Sequence, residues 1–219
     1  MTDGIILIDK PADMTSFGVV ARIRRVLSDQ AGKKVKVGHT GTLDPFATGL
    51  MILCVGKECK NAGGYTKLDK VYEATVRLGQ TSTTGDPEGE IVDVNDYQPS
   101  RDEVETAMTQ FIGEISQTPP AFSALKVNGV RAYQLAREGK HVDIPMRTIT
   151  IHALEVTGYS YPELKIRAHV SSGTYIRTLA EDIGKSLKTG AYCTALRRIK
   201  IAEWDIADAE TLETYGVTD

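Results

Sequence analysis

The chain has 219 residues, 41% of them apolar and 25% charged, with a formal net charge of −3. This is the composition of an ordinary soluble globular protein of one domain, or of one domain with a small appendage. No apolar run reaches the roughly eighteen residues of a membrane-crossing helix, and MTDGIILIDK carries neither a basic leader nor a cleavage pattern, so a cytoplasmic protein (or an organellar one after import) is expected.

Along the chain, Ile5 to Ile8 reads as a short strand that ends at Lys10-Pro11, because proline cannot donate to a ladder. Thr15 or Ser16 can cap the helix that follows, in which Val19, Val20, Ile23, Val26 and Leu27 fall at helical spacing. Val35 to Val37 is a strand candidate, and Leu50 to Val55 reads as a buried strand. Tyr72 to Leu78 alternates as a strand, Gly85 to Gly89 (GDPEG) is turn material, and Ile91 to Val94 follows as a strand. Ser100 caps a helix over Arg101 to Ile112, Pro119-Pro120 opens an irregular stretch, and a short helix over Arg131 to Arg137 stops at Gly139. Thr148 to Val156 and Glu163 to Val170 read as strands. Ser171 to Thr174 then turns the chain into a helix with the apolar stripe Ile176, Leu179, Ala180, Ile183 and Leu187, and with Glu181 and Lys185 as an i,i+4 pair. Tyr192 to Ile201 closes the chain as a strand. Several strand pairs are joined by turns too short for a parallel crossover, which implies an α+β protein with a mixed, mainly antiparallel central sheet flanked by helices.

Three cysteines (Cys54, Cys59, Cys193) and four scattered histidines (His39, His141, His152, His169) give neither a disulfide framework nor a metal-ligand spacing, and no metal is expected. The charge is unevenly distributed. From Glu203 onward there are six acidic residues and no Lys or Arg, so the preceding 202 residues hold 26 basic and 23 acidic groups. Within them Arg22, Arg24, Arg25, Lys33, Lys34 and Lys36 face a single acid, Asp29, and Arg197, Arg198 and Lys200 form a second cluster. Local basic surface of this kind binds phosphates whatever the total charge, although a solvated helix face would look the same.

The segment GHTGTLDPFATG, residues 38 to 49, stands out. Pro45 biases Asp44 toward an extended backbone, and Gly38, Gly41 and Gly49 admit unusual backbone angles and close approach of a ligand. The apolar run behind the segment anchors it. Such a loop presents one carboxylate that can serve as nucleophile or general base; an aspartate capping its own turn has the same local pattern.

VGHTGTLDPFATGLMILCVG resembles the catalytic motif of the bacterial-type tRNA pseudouridine synthase B (TruB) family. GIILIDKPADMTSFGVVARIRR, KVYEATVRLGQTSTTGDPEGEI, QTPPAFSALKVNGVRAYQLAREG, SSGTYIRTLAEDIGKSL and ALRRIKIAEWDIADAETLE resemble further segments of that family, in its order, from about Gly4 to Glu213. Six ordered segments are far more specific than any one of them. The resemblance implies a pseudouridine synthase fold and isomerisation of the T-loop uridine of tRNA (position 55 in tRNA numbering) to pseudouridine after the base is flipped out, with no cofactor. By position in the motifs, Asp44 is the catalytic aspartate. The resemblance further implies that Tyr72 stacks on the target base, that Arg177 pairs with the catalytic carboxylate, that Leu196 packs near the base and that His39 holds the T loop open. Lys10 and Pro11 match a support for the catalytic loop. Arg22, Arg25, Lys33, Lys34, Lys36, Arg197 and Arg198 are candidates for gripping the RNA backbone.

Phe122, Ala202 and Trp204 depart from the family's usual residues without touching that set. The chain ends before the C-terminal RNA-binding PUA domain of many members, so residues 1–219 are expected to form a single catalytic domain, with no PUA domain. The expected partner is the T-arm stem-loop of tRNA, with no membrane and no protein partner required, the protein acting as a monomer. The alternative is a tRNA-remodelling chaperone that uses the same surface without catalysis. A guide-RNA particle subunit is disfavoured by the missing PUA domain. An aspartyl-nucleophile phosphatase is disfavoured because no second metal-binding carboxylate motif lies near Asp44.

Overall fold

The computed structural model describes residues 3–127, 129–140 and 142–217. The elements, in chain order, are β1 (Gly4–Lys10), α1 (Ser16–Ala31), β2 (Val37–His39), β3 (Thr48–Val55), α2 (Ala62–Thr66), β4 (Lys70–Leu78), β5 (Gln80–Ser82), β6 (Ile91–Asp93), α3 (Arg101–Thr109), β7 (Gly113–Gln117), β8 (Lys126–Val127), β9 (Val130–Arg131), α4 (Ala132–Arg137), β10 (Arg147–Ser160), β11 (Glu163–Val170), α5 (Ile176–Ser186), β12 (Ala191–Ile201) and β13 (Trp204–Asp205). Short 3-10 turns occupy Gly56–Lys60, Ile206–Asp208 and Glu213–Tyr215. Two compact units emerge, Met1–Tyr72 with Arg197–Asp219, and Glu73–Leu196. The expected class holds: an α+β protein whose large sheet is mainly antiparallel.

In the first unit the strand order is β1–β3–β12, with β2 also on β3 and β13 on β12. β1 runs antiparallel to β3 from Gly4 opposite Val55 to Lys10 opposite Gly49. β12 joins β3 in parallel, with Arg197 opposite Thr48 and Arg198 opposite Gly49. β3 reads as a continuous apolar run because Gly49 to Val55 are all buried. Leu50, Ile52 and Ile201 form a core on which Ile5, Leu7, Tyr65, Leu68 and Trp204 pack.

Thr15, not Ser16, caps α1, its hydroxyl accepting from the Gly18 N–H at 3.0 Å. The buried stripe is Val19, Val20, Ile23 and Leu27, and Gly32 ends the helix in the left-handed region. The strand expected at Val35–Val37 begins only at Val37, since the Val35 N–H donates to Ser28 Oγ at 3.0 Å.

In the second unit the order is β12–β4–β11–β10–β7. β10 and β11 form a long hairpin with register shifts between Ile151 and Ala153 and between Val156 and Gly158. Leu164, Ile166, Ala168 and Val170 line the buried face of β11, as their alternation predicts. α3 carries a full capping box between Ser100 and Glu103 but stops at Thr109, short of the expected Ile112. The N–H groups of Phe111 and Ile112 there reach back only three residues, and Gly113 (φ +101) starts β7. On α5 Lys185 bridges Asp182 at 2.9 Å, while its charge also acts on the expected i,i+4 partner Glu181.

Gly49 lies in close contact with the Arg198 backbone. Its φ is +107, and a Cβ there would lie 2.3 Å from the Arg198 carbonyl oxygen. Only glycine satisfies both conditions. Gly49→Ala is expected to lower stability by about 3 kcal/mol or more. The check is a urea titration, in which the midpoint falls and the slope is unchanged.

Candidate active site

The loop between β2 and β3 carries Asp44, and its backbone is held at successive points by side chains from other elements of the first unit. Thr40 starts it, with its N–H and its hydroxyl both donating to the Ile52 carbonyl at 3.1 and 3.2 Å. Arg198, on β12 and 1% exposed, donates through Nε to the Leu50 carbonyl at 2.7 Å and through a terminal nitrogen to the Gly41 carbonyl at 3.2 Å. Ser16, freed from capping by Thr15, accepts from the Leu43 N–H at 2.8 Å and donates to the Leu43 carbonyl at 2.9 Å. One hydroxyl thereby satisfies both backbone groups of a buried residue.

Lys10, at the end of β1 and with no exposed surface, donates to the carbonyls of Pro11 (2.7 Å), Met14 (2.6 Å) and Pro45 (3.1 Å). The residues on either side of Asp44 are therefore each fixed by a buried polar side chain. Asp44 itself is half-buried, and its carbonyl accepts from the Ala47 N–H at 3.2 Å.

Burial pushes the Lys10 ammonium down from 10.5 to about 8, against the pull of Asp13 and Asp44, while Arg198 pushes it lower still. Lys70, donating to the carbonyls of Thr66 and Leu68, is also pushed down to about 8, by burial first and Arg198 second. Gly41 lies beside Arg198 and Lys70: a Cβ there would sit 3.5 Å from the guanidinium and 3.9 Å from Lys70 Cε. The loop thus rests on buried cations, and the Asp44 carboxylate favours the ammonium form of Lys10.

The remaining predicted residues of this unit divide by exposure. Tyr72 is buried on β4, and His39 is half-buried at the end of β2, opposite Leu53. Pro11 is half-buried beside Lys10. Arg22, Arg25, Lys33, Lys34 and Lys36 are exposed, as phosphate contact requires. Arg197 is bidentate on Asp9 at 2.6 and 3.0 Å and also reaches Thr48, so its charge is already compensated. Arg198 is corrected outright. Its buried guanidinium donates to loop carbonyls, which makes it a support of the Asp44 loop and not an RNA-backbone contact.

Arg177 and Leu196 belong to the second unit. Leu196 is buried on β12. Arg177, 3% exposed in the first turn of α5, forms a 3.0 Å ion pair with Asp86 and donates to the carbonyls of Thr84 and Phe122, both at 2.7 Å. Asp86 also accepts from the Thr84 hydroxyl at 2.6 Å and the Glu88 N–H at 3.1 Å. Gln117 positions the helix start by pairing with the N–H and the carbonyl of Tyr175, at 2.8 and 3.0 Å. Gly85 (φ +73) allows the turn to close on Glu181, whose carboxyl is raised by burial.

Ser16, Thr40, Lys70 and Asp86 were missed as site residues in the sequence. Their only signal was a polar residue at a position that the fold buries, and burial is a tertiary property.

Fold and loop together define an α+β protein that carries a half-buried aspartate, Asp44, between two residues whose backbone is held by buried polar side chains. The sequence profile described as TruB family pseudouridylate synthase (N terminal domain) matches residues 24–176. The chain belongs to that family. It is 43% identical, over its whole length, to tRNA pseudouridine synthase B of Burkholderia lata, and 45% identical over 213 residues to the protein of that name from Cupriavidus pinatubonensis. It spans 66% of the length of each of these relatives. Among solved structures it is similar to a Cbf5-Nop10-Gar1 complex (TM-score 0.74, 29% identity, 96% of this chain and 52% of that one). It is also similar to an H/ACA RNP bound to a substrate RNA containing 2′-deoxyuridine (TM-score 0.71, 26% identity, 96% of this chain and 51% of that one).

Two expectations follow from the loop. Ser16→Ala strands a buried N–H and a buried carbonyl on Leu43, and should cost about 1–3 kcal/mol in denaturant titration. Lys10 gives a pH signature. Its native value near 8 lies below its ordinary 10.5, so between those values the folded chain binds fewer protons than the unfolded chain. Stability therefore rises with pH across that window. The urea midpoint should increase from about pH 7.5 to about pH 9.5, and by less in Lys10→Met.

Proposed function

We propose that the chain is a tRNA pseudouridine synthase that isomerises the T-loop uridine, position 55 in tRNA numbering, to pseudouridine. The observation that carries this reading is the placement of Asp44 between two held residues, Leu43 clasped by Ser16 and Pro45 by Lys10. The family membership and the names of the relatives support it.

The reaction is redox-neutral. The bond from ribose C1′ to N1 of uracil breaks, the base turns, and C1′ joins C5; C5 loses a proton and N1 gains one. No group is donated, so the residues need only expose the base and supply one carboxylate. Extruding the uridine from a folded hairpin costs a few kcal/mol. A carboxylate already held in place contributes catalysis without further ordering. Asp44 fills that role by attack on the sugar or by removal of its 2′ proton. Both routes require the ionised form of the carboxylate.

In this reading Tyr72 stacks on the target base and His39 supports the opened loop. Arg177 steadies the catalytic carboxylate and Leu196 packs against the base. These assignments rest on motif position. The exposed Arg22, Arg25, Lys33, Lys34 and Lys36 supply phosphate contacts. The protein acts as a monomer on the T-arm stem-loop in the cytoplasm. Among the described residues no helix is long and apolar enough to cross a membrane.

The test is incubation with an unmodified T-arm hairpin and mapping of pseudouridine. Product is expected at the T-loop uridine alone. Asp44→Asn should abolish product while hairpin affinity stays within about twofold, as for a group acting only in the chemical step. Turnover by that variant, or loss of binding without loss of chemistry, contradicts the assignment.

A further inference from the structure

Phe17 is the second residue of α1 and is 63% exposed. An aromatic ring left in water forgoes burial that its neighbours Val19 and Val20 achieve on the same helix. Its surroundings are not those of an apolar patch. The Arg24 guanidinium lies 5.7 Å from the ring centroid, and Arg22 and Arg25 stand exposed on the same helix. A flat aromatic face next to a planar cation, with Arg22 and Arg25 exposed on the same helix, fits a nucleobase with its phosphates; an apolar protein partner would have to desolvate those charges.

The position is also informative. Ser16 holds Leu43, so Phe17 and Asp44 are each one residue away from the same hydrogen-bonded clasp. Consecutive Cα spacing then puts their backbones no more than about 15 Å apart, a distance that a short single-stranded stretch of RNA spans.

We propose that Phe17, framed by Arg24, is a stacking platform for an unpaired nucleobase of the bound RNA, a base other than the one that reacts. The inference rests on the RNA-modifying reading above. Stacking on an aromatic ring accepts any base, so the platform adds affinity and register without adding sequence preference.

The experiment uses the full chain and a fluorescein-labelled, unmodified T-arm hairpin, read by anisotropy and by pseudouridine mapping. Phe17→Ala should weaken binding by about tenfold, with a thermal melt unchanged because the ring is exposed, and should still form product at saturating hairpin. Phe17→Trp should keep the affinity, and its emission should be quenched by RNA beyond the change seen in the parent protein, which contains Trp204. Phe17→Leu separates the two possible partners: loss of affinity equal to that of Ala supports base stacking, and retained affinity overturns it in favour of a plain apolar contact. Phe17→Ala binding within twofold of the parent also overturns it. If the parent binds the hairpin without forming pseudouridine while Phe17→Ala binds more weakly, the platform stands and the catalytic reading falls. If the parent forms product and Phe17→Ala binds equally well, the platform alone falls.

Discussion

The geometry of the Asp44 loop depends on buried polar side chains that take backbone groups as their partners. A glycine-rich loop has little apolar surface to bury and many N–H and carbonyl groups to satisfy. Water could satisfy them, but a hydrated loop would move. Ser16, Lys10, Thr40 and Arg198 instead reach in from α1, β1, the loop's own start and β12. The desolvation of two of these groups as cations is unfavourable, as the lowered value of Lys10 records. The carbonyls offset it, because an ammonium with three acceptors recovers much of its lost hydration.

The second unit uses the same device. Arg177 is buried against two carbonyls and one carboxylate, and Asp86 is in turn held by Thr84 and the Glu88 N–H. In both units a glycine with positive φ lies where the turn meets its anchor: Gly49 against the Arg198 backbone, and Gly85 against the Glu181 carboxyl. Side chains would be excluded from both places by geometry before chemistry is considered. The glycines and the buried arginines are therefore parts of one arrangement, in which close backbone approach brings carbonyls within reach of a guanidinium.

Periodicity made the regular elements legible. The alternation of ELKIRAHV matches β11 residue for residue, and the stripe of α1 matches its buried face except at Val26, which is half-buried. The motif around Asp44 pointed to the loop. What the sequence hid was partnership at a distance. Ser16 and Leu43 are 27 residues apart, and Arg198 and Gly41 are 157 apart. Arg198 looked like a surface cation because arginine usually is one, and Lys185 was matched to Glu181 on helical spacing alone although Asp182 is also in reach. β7 escaped notice because GEISQ is half polar, and its identity as a strand comes from its partner β10. Motif resemblance located the carboxylate; only the folded chain shows what holds it.

That arrangement also bears on the choice between a catalyst and a passive RNA-remodelling protein. A binder gains from cations at its surface, where each one releases counterions from the phosphate backbone. Lys10, Lys70 and Arg198 are withdrawn from that use and buried beneath the Asp44 loop. Asp44, half-buried and negatively charged, repels phosphates and adds nothing to affinity. A protein under no demand for chemistry would do better with the three cations outside and an apolar residue at position 44, since apolar replacement of buried charge is often neutral or stabilising. The arrangement has a rationale once the carboxylate must be ionised, aimed and stationary at the moment an extruded nucleoside arrives.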